Sequence, residues 1–328
     1  MSAAVLGKLL AIIVTVALGW LAGRLRWLGD AQSDPARILS NAAFYIFVPA
    51  LLFRTTARVD LGALPAGLLV AYFVPTLALL LAVYGVQQLR QRRQPRAEPA
   101  LPAVRAISVS YGNAVQMGIP MSAAMFGEAG LGIHLMLVSV HGLILLTVLT
   151  ALVEMDLARS KARQMQGSGL GLMLRSTLRN TVIHPVVLPV LAGLTWNLLG
   201  LGLPGLADEV LQLLGSAVVP LCLVLIGLSL AYYGLQGSAR GALGVTVLKL
   251  LGLPALVLIV AHWGFGLAGL SLSVLVMLAA LPVGSNALIF AQRYKTLQAE
   301  ATAAIVFSTL AFVLTAPWWL AVLARLPA

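Results

Sequence analysis

Charge is what this 328-residue chain has least of: Asp, Glu, Lys and Arg make up 9% of it, against roughly a quarter of an ordinary soluble domain. Ten acidic and 21 basic residues cannot coat a core built from a chain that is 60% hydrophobic. A water-soluble globule is excluded, and lipid is the expected solvent. Cysteine is nearly absent. The single Cys222 excludes an internal disulfide framework and a zinc site built on several thiolates. Acidic residues are missing from the middle of every apolar run, which argues against a cation or proton exchanger built on a carboxylate pair. No metal constellation, no Ser/His/Asp arrangement and no phosphate-cradling glycine loop with a lysine emerges. The chain is therefore not read as an enzyme, no cofactor is expected, and pumping by ATP would need another subunit. A net charge of +11 would suggest nucleic acid in a soluble protein. Here the basic residues stand between apolar runs and read as topology signals instead.

What the sequence has in abundance is apolar runs of roughly 18 to 25 residues, each long enough to cross a hydrocarbon core of about 30 Å. Ten are expected, with cores near 5–22, 36–53, 64–87, 101–126, 131–153, 180–200, 210–232, 241–262, 269–291 and 301–323. Basic residues concentrate in the odd-numbered connections, as at Arg24 and Arg26, Arg90 to Arg96, Arg159 to Arg179, Arg240, and Arg293 with Lys295. The even connections carry Arg54 and Arg58. The positive-inside rule then places the odd connections in the cytoplasm and both termini outside a plasma or inner membrane.

The longest polar connection separates a first set of five runs (1–155) from a second (180–328), with 156–179 as a cytoplasmic linker. An odd number per set means that related halves must be inserted upside down with respect to each other. The fourth and ninth runs support this. Gly118-Ile119-Pro120-Met121-Ser122 in one and Leu281-Pro282-Val283-Gly284-Ser285-Asn286 in the other each place a proline near the middle of the span, followed by small residues. Proline removes a backbone donor and clashes with the preceding turn, so both spans are predicted to kink or unwind there. Freed backbone groups cannot face lipid, and equivalent breaks in two inverted halves point to a binding site near the midplane.

Candidate ligand-binding residues follow from that placement. Asn113 and Gln116 precede Pro120, and Ser285 and Asn286 follow Pro282. Amides offer both donors and acceptors, and serve equally to tie helices together. Asn41 in the second run has the same double reading. Lys249 lies about 14 Å into the eighth run, too deep to reach water by snorkelling. Its partner is either the carbonyl end of a half-helix stopping at Pro120 or Pro282, or an anionic substrate. Histidines are expected chiefly as interhelical hydrogen-bonders: His134 and His141 share a face of the fifth run, while His184 and His262 lie near span ends. His141, beside the breaks, is also a candidate proton sensor.

With those residues in view, the sequence resembles the auxin efflux carrier family, which includes the plant PIN proteins and bacterial permeases for small carboxylates. The segment Asn113-Ala114-Val115-Gln116-Met117-Gly118-Ile119-Pro120 carries the likeness most strongly. Leu281-Pro282-Val283-Gly284 leading to Phe290-Ala291-Gln292-Arg293-Tyr294, and Lys249 with Pro254, extend it. The resemblance implies an all-α fold of ten transmembrane helices in two inverted five-helix repeats, with broken helices 4 and 9 crossed at their prolines. It further implies a scaffold of helices 1, 2, 6 and 7, a moving core of the others, a substrate site at the crossing lined by Asn113, with Gly118, Pro120 and Pro282 as candidates beside it, and a homodimer through the scaffold. The central connection is short and the third run lacks an acid, both unlike plant members, so a small carboxylate or dicarboxylate is expected in place of auxin. The expected activity is secondary transport by alternating access, with no nucleic acid partner. A channel, a membrane sensor, and a carrier of auxin-like or neutral solutes are the alternatives on the same fold. The membrane potential alone favours export of an anion by about 2.3 kcal/mol per charge per 100 mV, so import would need coupling.

Overall fold

The computed structural model describes residues 3–29, 34–58, 66–92, 98–164, 183, 185, 187–233 and 239–326. They are helical almost throughout, in eleven helices: α1 (Ala3–Arg24), α2 (Pro35–Arg58), α3 (Ala66–Gln91), α4 (Leu101–Ser110), α5 (Ile119–Gln164), α6 (Val187–Leu198), α7 (Gly205–Tyr233), α8 (Ala239–Gly264), α9 (Gly269–Ala280), α10 (Asn286–Arg293) and α11 (Gln298–Leu323). Among the described residues, six helices are long and apolar enough to cross a membrane, and α4, α6 and α9 are shorter apolar helices. Lipid offers the backbone no hydrogen bonds, so helices that satisfy themselves are what such a chain must form. This is a polytopic membrane protein. α5 bends at Gly127, whose φ of 64° and ψ of −160° only glycine adopts at low cost, and this bend separates the fourth apolar run from the fifth. α5 then continues to Gln164, while residues 165–179 of the expected linker, the first residues of the expected second set (180–182) and His184 lie outside the described residues.

Prolines shape these helices locally. A π turn stands at Ala43–Phe47, ahead of Pro49, and another at Leu248–Gly252, ahead of Pro254. The turn at Ala114–Gly118 occupies the same place ahead of Pro120 in the chain. A proline leaves the carbonyl four residues earlier without its helical donor, and widening the turn there is one way to relieve the clash. At Pro254 that carbonyl belongs to Leu250, and the buried Trp319 of α11 donates to it at 2.8 Å.

The helices pack in two groups. α1 lies along α7, and α2 packs against both α6 and α7. Glycines permit this close approach, as small residues do between membrane helices. A Cβ on Gly19 would strike the Val224 backbone, one on Gly227 the Val16 and Trp20 backbone, and one on Gly193 the Thr56 side chain. The second group joins α3 to α4, α8 to α9 and α11, and α9 to α5 and α11. At one end of this group the Arg105 guanidinium of α4 grips the Glu300 carboxylate of α11 through two hydrogen bonds of 2.8 Å, and donates to Gln87 of α3 at 3.0 Å. Gly241 of α8 packs directly on that carboxylate. Glu300 is 8% exposed, so solvent replaces little if the pair is broken. Glu300→Ala is therefore expected to cost roughly 2 kcal/mol and to lower the melting temperature of the purified protein, whereas Glu98→Ala, at an exposed position, is expected to leave it unchanged.

Candidate functional site

α4 and α9 both stop inside the protein, and the two stops meet. α4 ends at Ser110, after which Tyr111 turns extended (φ −91°, ψ 109°) and Gly112 and Asn113, weak helix formers, lead into the π turn. α9 ends at Ala280, where Leu281 (φ −58°, ψ 149°) takes the extended form that a following proline favours. The second break thus lies at Pro282 as expected. The first differs from expectation: it lies upstream of Pro120, at Tyr111–Asn113, and Pro120 belongs to the first turn of α5. The half-helix that ends here therefore stops at Ser110 rather than at the proline.

The two extended stretches form an antiparallel bridge between Gly112 and Val283. Asn113 N–H donates to the Pro282 carbonyl at 2.8 Å, and Gly284 N–H to the Tyr111 carbonyl at 2.9 Å. Val283 N–H donates to Ser308 Oγ of α11 at 3.0 Å. Each break thereby supplies partners for backbone groups that the other has freed, which is how irregular backbone survives at depth. Further freed groups find side chains. His134 Nε2 lies 2.8 Å from the Ala114 carbonyl, the hydrogen-bonding role expected of a buried histidine. Gly118 has no room for a Cβ because the His134 ring and Leu281 occupy that space. Lys249, fully buried, donates from Nζ to the Ala279 carbonyl at 2.6 Å, at the carbonyl end of α9. Its Nζ also lies beside Gly112, 3.3 Å from where a Cβ would stand. A cation there offsets the negative end of the half-helix dipole.

Next to the bridge is a cavity of about 110 Å³. Asn113, Ser285 and Asn286, the sequence-predicted residues, converge on it together with Tyr111, His141 and Thr55. Tyr111 faces the Asn286 side chain, and Ser285 faces the Cys222 thiol of α7. No acidic side chain is among the described residues that line it. A second, apolar cavity of about 320 Å³ runs between α1, α7 and α11, past Trp20, Leu223, Ile226 and Leu310, and reaches the same Asn113. Asn113 therefore stands between the two. Lys249 lines neither cavity, and Asn41 is exposed on α2, away from both. The Pro282 carbonyl and Gly118 belong to the framework of the breaks, and the side chains of Gln116 and Pro120 lie outside the described residues. Tyr111 and Thr55 were not singled out from the sequence. Tyr111 could have been found from its place directly before Gly112-Asn113; Thr55 carries no such signal.

Two groups of membrane helices with paired helix breaks and a polar cavity at their seam define a membrane transport protein. The family described as membrane transport protein, that of the auxin efflux carriers, matches residues 4–320, and the chain belongs to it. It is a family of transporters, not of enzymes. An uncharacterized transporter of Methanothermobacter thermautotrophicus is 27% identical over 317 residues, covering 96% of this chain and 97% of its own. The uncharacterized transporter YfdV of Escherichia coli K12 is 27% identical over 318 residues, 96% of each chain. A Rhizobium meliloti protein named "Putative malonate transporter" is 24% identical over 313 residues, covering 95% of this chain and 94% of its own.

Proposed function

We propose that this protein is a secondary transporter of a small organic anion, a dicarboxylate of malonate's size, working by alternating access. One observation carries the reading: Asn113, Ser285 and Asn286 converge on a cavity beside the paired breaks, with hydroxyl and amide donors and no described acid. Such donors suit a carboxylate, and a neighbouring carboxylate would have repelled it. The name of the Rhizobium relative agrees with that chemistry.

The mechanism follows from the two packed groups. α1, α2, α6 and α7 act as a scaffold in the membrane, and α3, α4, α5 and α8 to α11 act as a core that carries the site from one face to the other. Asn113 holds the anion at the seam, between the polar cavity and the apolar one. Lys249 acts by positioning, since its Nζ holds the end of α9 and the adjoining Gly112 in place behind the site. In this reading the chain forms ten spans in two inverted five-helix repeats, 1–155 and 180–328, in a plasma or inner membrane with both termini outside. A second copy packs on the scaffold, where Leu206 and Leu213 of α7 are well exposed.

The test is thermal-shift binding of malonate to the purified protein, paired with counterflow of labelled malonate in proteoliposomes. Asn113→Ala is expected to lose at least tenfold in malonate affinity while the unliganded melting temperature stays within about 2 °C, because the bridge uses the backbone N–H of Asn113, which the alanine keeps. Absence of binding and counterflow for every small mono- and dicarboxylate tried would sink the proposal, as would conductance at channel rates.

A further inference from the structure

His141 of α5 is 2% exposed and lines the polar cavity. Neither its Nδ1 nor its Nε2 has a hydrogen-bond partner among the described residues. Buried polar atoms in native proteins are nearly always paired, so an imidazole with both nitrogens unspent among the described residues is free to take a further partner, and a ligand in the cavity it lines can supply one. The contrast with His134, two turns earlier on the same helix and bonded to the Ala114 carbonyl, shows that this region can satisfy a buried ring. What holds His141 is aromatic. Tyr111 meets it at 4.7 Å between ring centroids with the planes at 62°, and Tyr72 and Phe73 of α3 flank it at 6.0 and 6.2 Å. Those contacts fix the ring without using its nitrogens.

We infer that His141 is a contact for the substrate carboxylate that takes up one proton as the anion binds, so that proton and anion cross together. This rests on the reading of the cavity as a carboxylate site. An anion against an imidazole favours its charged form, and the charged form can donate from either nitrogen to a carboxylate oxygen. The groups that face His141 leave that task to the ligand. Lys249 of α8 and His134 of α5 bear on it electrostatically, and both oppose a further positive charge when protonated. Tyr111 and Tyr72 are its neighbours from α4 and α3, and Cys222 of α7 stands beyond Tyr111. No described carboxylate lines the cavity to compensate an imidazolium. The bound anion therefore provides the counter-charge, which makes the two bindings mutually dependent. The proton comes from water at the cavity mouth, adds to a ring nitrogen, and leaves from it when the anion departs. One proton cancels one of the two negative charges of a malonate dianion, which halves the electrical cost of entry and adds the proton gradient as a driving force.

The test is calorimetric titration of malonate into the purified full-length protein at about pH 7.5, where malonate itself carries no proton, in buffers of differing ionisation enthalpy. The wild type is expected to take up about one proton per malonate bound, and His141→Gln to bind malonate with no proton uptake. Proteoliposomes should agree: an inward proton gradient accelerates malonate entry several-fold in the wild type and not in His141→Gln, whose malonate counterflow is weakened by the lost contact but not abolished. Binding without proton uptake in the wild type overturns the inference and leaves the carboxylate site standing, as does equal uptake in the variant. Failure of malonate and the other small carboxylates to bind the wild type overturns the carboxylate reading and this inference with it. His141→Asn serves as the second variant should the glutamine form fold poorly, and the wild-type measurement decides the matter alone if both do.

Discussion

Lys249→Ala is expected to lower the melting temperature of the unliganded protein by about 5 °C or more while the folded fraction keeps its malonate-induced shift. The side chain is fully buried, its Nζ serves the Ala279 carbonyl at 2.6 Å, and it lines neither cavity. Truncation removes both the packing of the stem and the donor at the end of α9. Leaving a buried carbonyl unserved costs about 1–3 kcal/mol, and the emptied volume adds to it. For a chain of this size each kcal/mol corresponds to roughly 2 °C. Lys249→Met separates the two contributions because it keeps most of the stem and loses the donor. A methionine variant as stable as the wild type would show that the hydrogen bond to α9 is not what the lysine supplies. Loss of the malonate shift with an unchanged melting temperature would instead make Lys249 a substrate contact.

Gly284→Ala is expected to be among the most damaging small substitutions in the chain. A Cβ at Gly284 would stand 2.8 Å from the Gly112 carbonyl oxygen, 3.0 Å from its carbon and 3.0 Å from Tyr111 Cδ1. The obstacle is backbone, so no rotamer change relieves it. Nor can the strand opposite retreat easily, since Gly112 is itself backed by Lys249 Nζ and Leu281. The alanine must therefore push the two breaks apart and stretch the bonds from Asn113 N–H to Pro282 and from Gly284 N–H to Tyr111. Overpacking and two weakened bonds together come to roughly 3–5 kcal/mol, enough to empty the monodisperse peak in size-exclusion chromatography. Gly85→Ala is the control: nothing lies within 4 Å of its added Cβ on α3, and it should leave the protein unchanged or slightly more stable. Wild-type melting of Gly284→Ala would mean that the bridge between the breaks is not tightly held.

Much of the fold was legible in the sequence because its causes are local. The apolar runs near 64–87 and 301–323 reappear as α3 and α11. The break at Pro282 was legible for the same reason, since a proline acts on the residue before it and the turn behind it. The break before it in the chain was misplaced because Pro120 is a stronger local signal than Gly112-Asn113, where α4 stops. A proline can be absorbed by a π turn, and three such turns stand ahead of prolines here. Asn113, Ser285 and Asn286 were legible as polar residues near breaks, but so was Asn41, which is exposed far from the cavity. Hydropathy and spacing do not distinguish an amide that faces a cavity from one that faces away.

By itself, then, the sequence determined the solvent, the helical class, the burial of Lys249 and the presence of polar residues beside broken spans. Each of these is a sum over neighbouring residues, set by transfer from water and by backbone chemistry. Only the tertiary structure decided that the breaks pair with each other, that Lys249 serves the end of α9, and that His141 lines the cavity with both nitrogens unspent among the described residues. Those outcomes depend on which groups from distant segments come within about 3 Å, and a hydrogen bond's reach is too short for any local pattern to encode its partner.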